Sequence, residues 1–152
     1  MNIDVHELQL LNPRECKQRL AQKSVGRVGI SMAALPVVFP VNYAVLDGDV
    51  IVRTGEGTKL DAALAGAVVA FEVDDVDPIY HEGWSVLLQG RASVVTDPDD
   101  LERIARLPLR PWAPGSRDRY IRIPAELVSG RRIALATNEA SHPIDEENPS
   151  CQ

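Results

Sequence analysis

Arg53 and Lys59 lie six residues apart, with Thr54, Gly55, Gly57 and Thr58 between them. Two cations, two hydroxyls and the N–H groups of a helix start are the donors that a phosphate dianion needs. Residues 49–60 read as a strand, a glycine-bearing loop and a first helical turn. The β-branched run Val50, Ile51, Val52 makes the strand. Gly55 and Gly57 let the chain turn and approach a ligand closely. Thr58 fits as a helix N-cap, with Asp61 at the third helical position as in a capping box. Glu56 and Asp61 bring negative charge to the same turn and oppose an anion there. On these residues alone a phosphate site and a plain solvated turn both stay open. The P-loop spacing is absent, and so is the third glycine of the dinucleotide pattern.

Other chemistry is thinly represented. His6, His81 and His142 are scattered and show no metal spacing. Cys16 and Cys151 give no metal or redox pattern, and a reducing cytoplasm fits them. The acids of 74–77 lack the glycine and distal glutamate of a calcium loop and read as a solvated turn. No serine, cysteine or histidine stands in a recognised nucleophile context. Asn42 is polar within an apolar strand: it reads as a satisfied edge residue, or as a hydrogen-bonding group for a ligand lying across that strand.

Composition narrows the classes further. The chain has 152 residues, 45% hydrophobic and 25% charged, which suits one domain with a buried core. A net charge of −6 and few aromatics argue against nucleic acid and membrane surfaces as partners. No apolar run has the length of a membrane span, and the N-terminus lacks a secretion signal's basic and apolar regions. A cytoplasmic protein is the expectation.

The elements that must position the candidate residues follow from local signals. Asn12-Pro13-Arg14-Glu15 opens a helix running to about residue 22, with Leu11 and Cys16 as a hydrophobic staple. Strands are expected at 26–31 and 36–46, the second with Pro40 at an edge or bulge, and Asp47-Gly48 turns it into the strand that carries Arg53. The helix from Thr58 ends near Gly66. Further strands are expected at 67–73, at 84–95 with a bend at Gly90, and at 120–123, with 133–136 continuing the sheet. Asp97-Pro98 opens a helix that turns Leu101, Ile104 and Ala105 inward. Residues 1–137 form the domain, and 138–152 read as an acidic, disordered tail. The class is mainly β: a small barrel or sandwich with short helices.

An ordered series of short motifs runs through this plan: Gly26-Arg27-Val28-Gly29, Pro40-Val41-Asn42-Tyr43, and the Arg53-to-Leu60 stretch. Val69-Ala70-Phe71-Glu72-Val73, Gly83-Trp84-Ser85-Val86, Gly90-Arg91-Ala92 and Arg110-Pro111-Trp112 follow. The series resembles the pyridoxamine 5′-phosphate oxidase-like family of flavin-binding split barrels, over roughly residues 10–133. The resemblance implies a six-stranded split β-barrel, a homodimer, and FMN bound in grooves at the dimer interface. It implies that Arg53, Thr58 and Lys59 hold the FMN phosphate with Thr54 beside them. Asn42, with Val41 and Tyr43, would face the ribityl chain or ring. Trp84 and Ser85 would approach a flavin, that of the opposite chain included, and Trp112 would close the pocket or pack at the interface.

The founding oxidase's C-terminal arginine- and histidine-bearing substrate segment has no counterpart at a matching place. The expectation is therefore an FMN-dependent oxidoreductase acting on a small-molecule redox substrate that the sequence does not name. The alternatives are an F420-dependent reductase, a non-catalytic flavin- or haem-binding protein, and a barrel with no ligand.

Overall fold

The computed structural model describes residues 10–109 and 117–133. The elements run α1 (Pro13–Leu20), β1 (Val25–Met32), β2 (Leu35–Leu46), β3 (Asp49–Gly55), α2 (Lys59–Leu64), β4 (Val68–Asp77) and β5 (Glu82–Arg91). They continue with β6 (Ser93–Val94), α3 (Pro98–Ile104), β7 (Asp118–Ile123) and β8 (Leu127–Ile133). All strands join one antiparallel sheet in the order β6-β7-β3-β2-β1-β4-β5-β8. The sheet curls into a barrel of eight strands where the resemblance implied six. At its seam the backbone of Gly90 on β5 passes so close to Pro124, just after β7, that an added Cβ would lie 3.0 Å from the Pro124 carbonyl oxygen.

Local sequence explains most element ends. Asn12 caps α1, accepting from the Glu15 amide at 2.8 Å, while its own amide donates to the Glu15 carboxylate at 2.7 Å. Asp47 and Gly48 both take positive φ, the tight hairpin geometry that joins two right-twisted strands. Pro40 pairs opposite Arg27 without a register break. β3 takes up the other side of β2 only from Tyr43, so Pro40 meets the ladder on one side alone.

Inward-facing residues of the strands, with Leu64 of α2 and Cys16 and Leu20 of α1, fill the barrel. Tyr43 ties α1 to this core by donating its hydroxyl to the Leu20 carbonyl at 2.5 Å, and burial pushes its phenol up to about 12. A second, smaller core lies on the outer face of β2 and β3. There Ala44, Leu46 and Ile51 pack against Ile104 and Leu109.

Three expectations change. The acidic residues 74–77 are not a turn; β4 continues through Asp77 in register with β5, and the turn falls at 78–81. Backbone pairing overrides composition there because each aspartate finds a donor. Asp74 lies 3.6 Å from Arg27, Asp75 pairs with Lys23 at 2.9 Å, and Asp77 accepts from the Ile79 and Tyr80 amides. The run 84–95 is two strands: Ala92 bonds to Ala67, and β6 then crosses to β7. Ala105 is exposed, and Leu107 and Leu109 take the inward places instead. The last described strand is β8, with Gly130 in it; of the expected strand 133–136 only Ile133 lies within the described residues. Trp112 and the tail 138–152 fall outside the described residues.

Candidate functional site: an anion corner between β3, β7 and α2

The strand–turn–helix at 49–64 forms as its residues dictate. Thr58 caps α2 by accepting from the Asp61 amide at 3.1 Å. Asp61 does not reach back to the Thr58 amide, as a capping box would have it. Its carboxylate turns into the barrel instead. It accepts from the Thr54 hydroxyl at 3.0 Å, the Gly57 amide at 3.1 Å and Arg119 at 2.9 Å. The side chain is only 3% exposed. Burial pushes this carboxyl up, but the bonds from Arg119, Gly57 and Thr54 outweigh it and hold it below the usual aspartate range. Asp61 thus does not oppose an anion at the turn. Its charge is spent internally.

The turn also consumes most of its own amides. Glu56 donates to the Arg117 carbonyl at 2.9 Å, Gly57 to Asp61, and Thr58 to the Gly55 carbonyl at 3.1 Å. Only the Lys59 and Leu60 amides remain without an acceptor among the described residues. Lys59 is exposed, and no described carboxylate pairs with it.

Arg53 and Thr54 point to opposite faces of β3, as neighbours on a strand must. Thr54 is buried in the barrel. Arg53 lies on the outer face, on the rim of the smaller core. Its Nη1 donates to the Leu109 carbonyl at 2.7 Å, and its Nη2 donates to the Asp118 carboxylate. The guanidinium carbon sits 5.8 Å from the Tyr120 ring centroid. The hydrogen bond from Arg53 holds Asp118 below the usual aspartate range, and Asp118 in turn raises Arg53. The Nε of Arg53 is buried and has no acceptor among the described residues. A buried donor without a partner is costly.

Asn42 belongs to the same outer face. Tyr43 pairs with Val52, so continuing the register by one residue sets Asn42 opposite Arg53, and Asn42 is exposed. Its neighbours Val41 and Tyr43 face the barrel interior. Trp84 and Ser85 stand elsewhere: β4, β1 and β2 lie between β5 and β3. Trp84 faces the core with the Arg19 guanidinium 5.5 Å above its ring. It also lines a cleft of ≈ 1280 Å³ walled by α1, the β4–β5 hairpin and the end of β8. Ser85 lies opposite Asp74 and Arg131. Within one chain, then, Asn42 and Arg53 share the outer face, Thr54 is buried in the barrel, Thr58 and Lys59 begin α2, and Trp84 and Ser85 stand on another side of the barrel.

Sequence reading missed Asp118, Arg119 and Tyr120. Their alternation 118–123 signals a strand, but only the pairing Arg53↔Tyr120 and Gly55↔Asp118 shows which of their side chains meet Arg53.

A curled antiparallel sheet with short helices defines a split-barrel protein. The chain belongs to the pyridoxamine 5′-phosphate oxidase family, whose model matches residues 12–132. It is 42% identical over 132 residues to the uncharacterized protein Rv0080 of Mycobacterium tuberculosis, covering 84% of this chain and 86% of that one. Among solved structures it is similar to the FAD binding protein from Mycobacterium smegmatis, at 33% identity and a TM-score of 0.74. That match covers 84% of this chain and 100% of the other. An FAD-binding protein from Mesorhizobium loti follows at 25% identity and a TM-score of 0.66, covering 83% and 98%.

Proposed function

We propose that this protein binds a flavin nucleotide and serves as an oxidoreductase in homodimeric form. The observation that carries the reading is the match, over the whole length of the Mycobacterium smegmatis protein, to a relative described as binding FAD. Support within this chain comes from Arg53 and the exposed Asn42 on the outer face of the sheet, and from the exposed Lys59 at the start of α2. FMN, the sequence expectation, and FAD share a phosphate ester at the end of the ribityl chain, and that group is what the corner would hold. Arg53 and Lys59 supply the charge, Thr58 its hydroxyl, and Asn42 lies where a ribityl hydroxyl or a ring edge would run.

A bound flavin supplies hydride and electron transfer, and the protein binds and orients it. No described residue is assigned as a proton donor or acceptor in the reaction. Ser85 and Trp84 contribute, in this reading, from the partner subunit across a dimer interface.

Fluorescence titration of the purified protein with FMN, FAD and F420, in separate arms, tests the reading. Micromolar or tighter binding of one flavin, with reduction of the bound flavin by NADH or NADPH, supports it. Folded protein that quenches none of the three sinks it. Light scattering of the same sample decides the dimer.

A further inference from the structure

Resting on the flavin reading, a finer assignment concerns how the corner controls its ligand. Arg53 carries five N–H donors in a fixed fork. Two are spent within the chain, on the Leu109 carbonyl and on Asp118, and the Nε hydrogen has no acceptor among the described residues. The cation that a phosphate needs is thus already neutralised by a carboxylate.

The two members of this pair are not equally free to move. Arg53 is 13% exposed, flanked by the Tyr120 ring and tied to Leu109. Asp118 is 28% exposed and stands at the first position of β7, and Arg53 is its one side-chain partner among the described residues. A ligand must come to the arginine, whereas the carboxylate can rotate into water. The phosphate monoester of FMN carries about −1.5 to −2 charges and the pyrophosphate of FAD about −2 over its two groups, against the single charge of a carboxylate, so either can win the exchange. An uncharged ligand cannot.

We propose that Asp118 sets the affinity and the charge selectivity of this site: its carboxylate holds Arg53 in place of the ligand's phosphate and is displaced when the phosphate arrives. The corner then admits phosphorylated flavins against an internal competitor, and riboflavin gains nothing from it.

Asp118→Asn tests this, because asparagine keeps an acceptor for Nη2 and removes the charge. Titration of wild type and variant with FMN, FAD and riboflavin, by flavin fluorescence, should show FMN and FAD binding about tenfold tighter to the variant. Riboflavin should be unchanged, and the gain should vanish in an Arg53→Gln background. Unchanged or weaker FMN binding by folded Asp118→Asn overturns the proposal while leaving the flavin reading intact. So does an equal gain for riboflavin. If neither wild type nor variant binds any flavin, the flavin reading falls and the proposal with it. Asp118→Ser is measured in parallel. Should both variants lose cooperative melting, Asp118 is a structural clamp and the proposal is overturned.

Discussion

Two arginine–aspartate pairs flank β7: Arg119 pairs with Asp61 of α2, and Asp118 with Arg53 of β3. Arg119–Asp61 points into the barrel, and Arg53–Asp118 points out. In the first pair the carboxylate is the buried partner, and three donors saturate it. In the second the cation is the more buried partner, and its Nε has no acceptor among the described residues. One residue of shift along β7 separates a closed network from an open one. A closed network holds a turn in shape, whereas a cation with spare donors can take a ligand.

Breaking the inner pair should have the largest effect. Asp61→Ala strands the Gly57 amide and Arg119 and leaves the Thr54 hydroxyl only the Arg119 carbonyl at 3.3 Å, and about 3 kcal/mol of stability should go, read as a lower denaturant midpoint at unchanged slope. Breaking the outer pair at Arg53 should move binding instead. Arg53→Ala should weaken FMN binding by about 1.5–3 kcal/mol, roughly tenfold or more, with riboflavin affinity unchanged. Thr54→Val removes a single member of the inner network and should cost about 1 kcal/mol of stability, with flavin affinity preserved. Lys59→Ala should give the smallest change, a loss of FMN affinity of a few-fold that fades as salt rises, since its charge is exposed. If Arg53→Ala destabilised the fold as much as Asp61→Ala and left binding alone, the contrast between the pairs would be false.

Acid should act on both pairs in the same direction. Asp61 and Asp118 titrate lower in the fold than in the unfolded chain. Each therefore stabilises the fold above the ordinary aspartate value of about 3.9, and that contribution is lost as pH falls through the lower folded value. Denaturant midpoints taken from about pH 6 down to about pH 3 should fall, and Asp61→Asn should flatten that decline.

How much of this was legible in the residues depends on how local the signal was. The Asp47-Gly48 hairpin, the Thr58 cap and the Asn12 cap are set by neighbours in sequence, and each stands where the spacing puts it. The direction of the Asp61 carboxylate was not legible, because its strongest partner, Arg119, is 58 residues away. Asp61 read as a charge opposing an anion, and it turned out to be the keystone of the turn. The β4 aspartates misled for the same reason: their cations come from Lys23 and Arg27, on or just before another strand. The family resemblance carried the barrel, but the alternation of Val41, Asn42 and Tyr43 had to be seen on the strand before Asn42 alone emerged on the outer face.

The seam between α1 and β8 has a practical corollary. A Cβ on Gly130 would stand 2.5 Å from the Cys16 sulfur and 3.0 Å from Leu11, so helix and strand touch through a residue with no side chain. Cys16 is buried, and burial, with the charge of Glu15, pushes its thiol up. An alkylating reagent can reach that sulfur only when the helix lifts away from the strand. In a Cys151→Ser background, the rate of labelling becomes a clock for how often the N-terminal helix lets go.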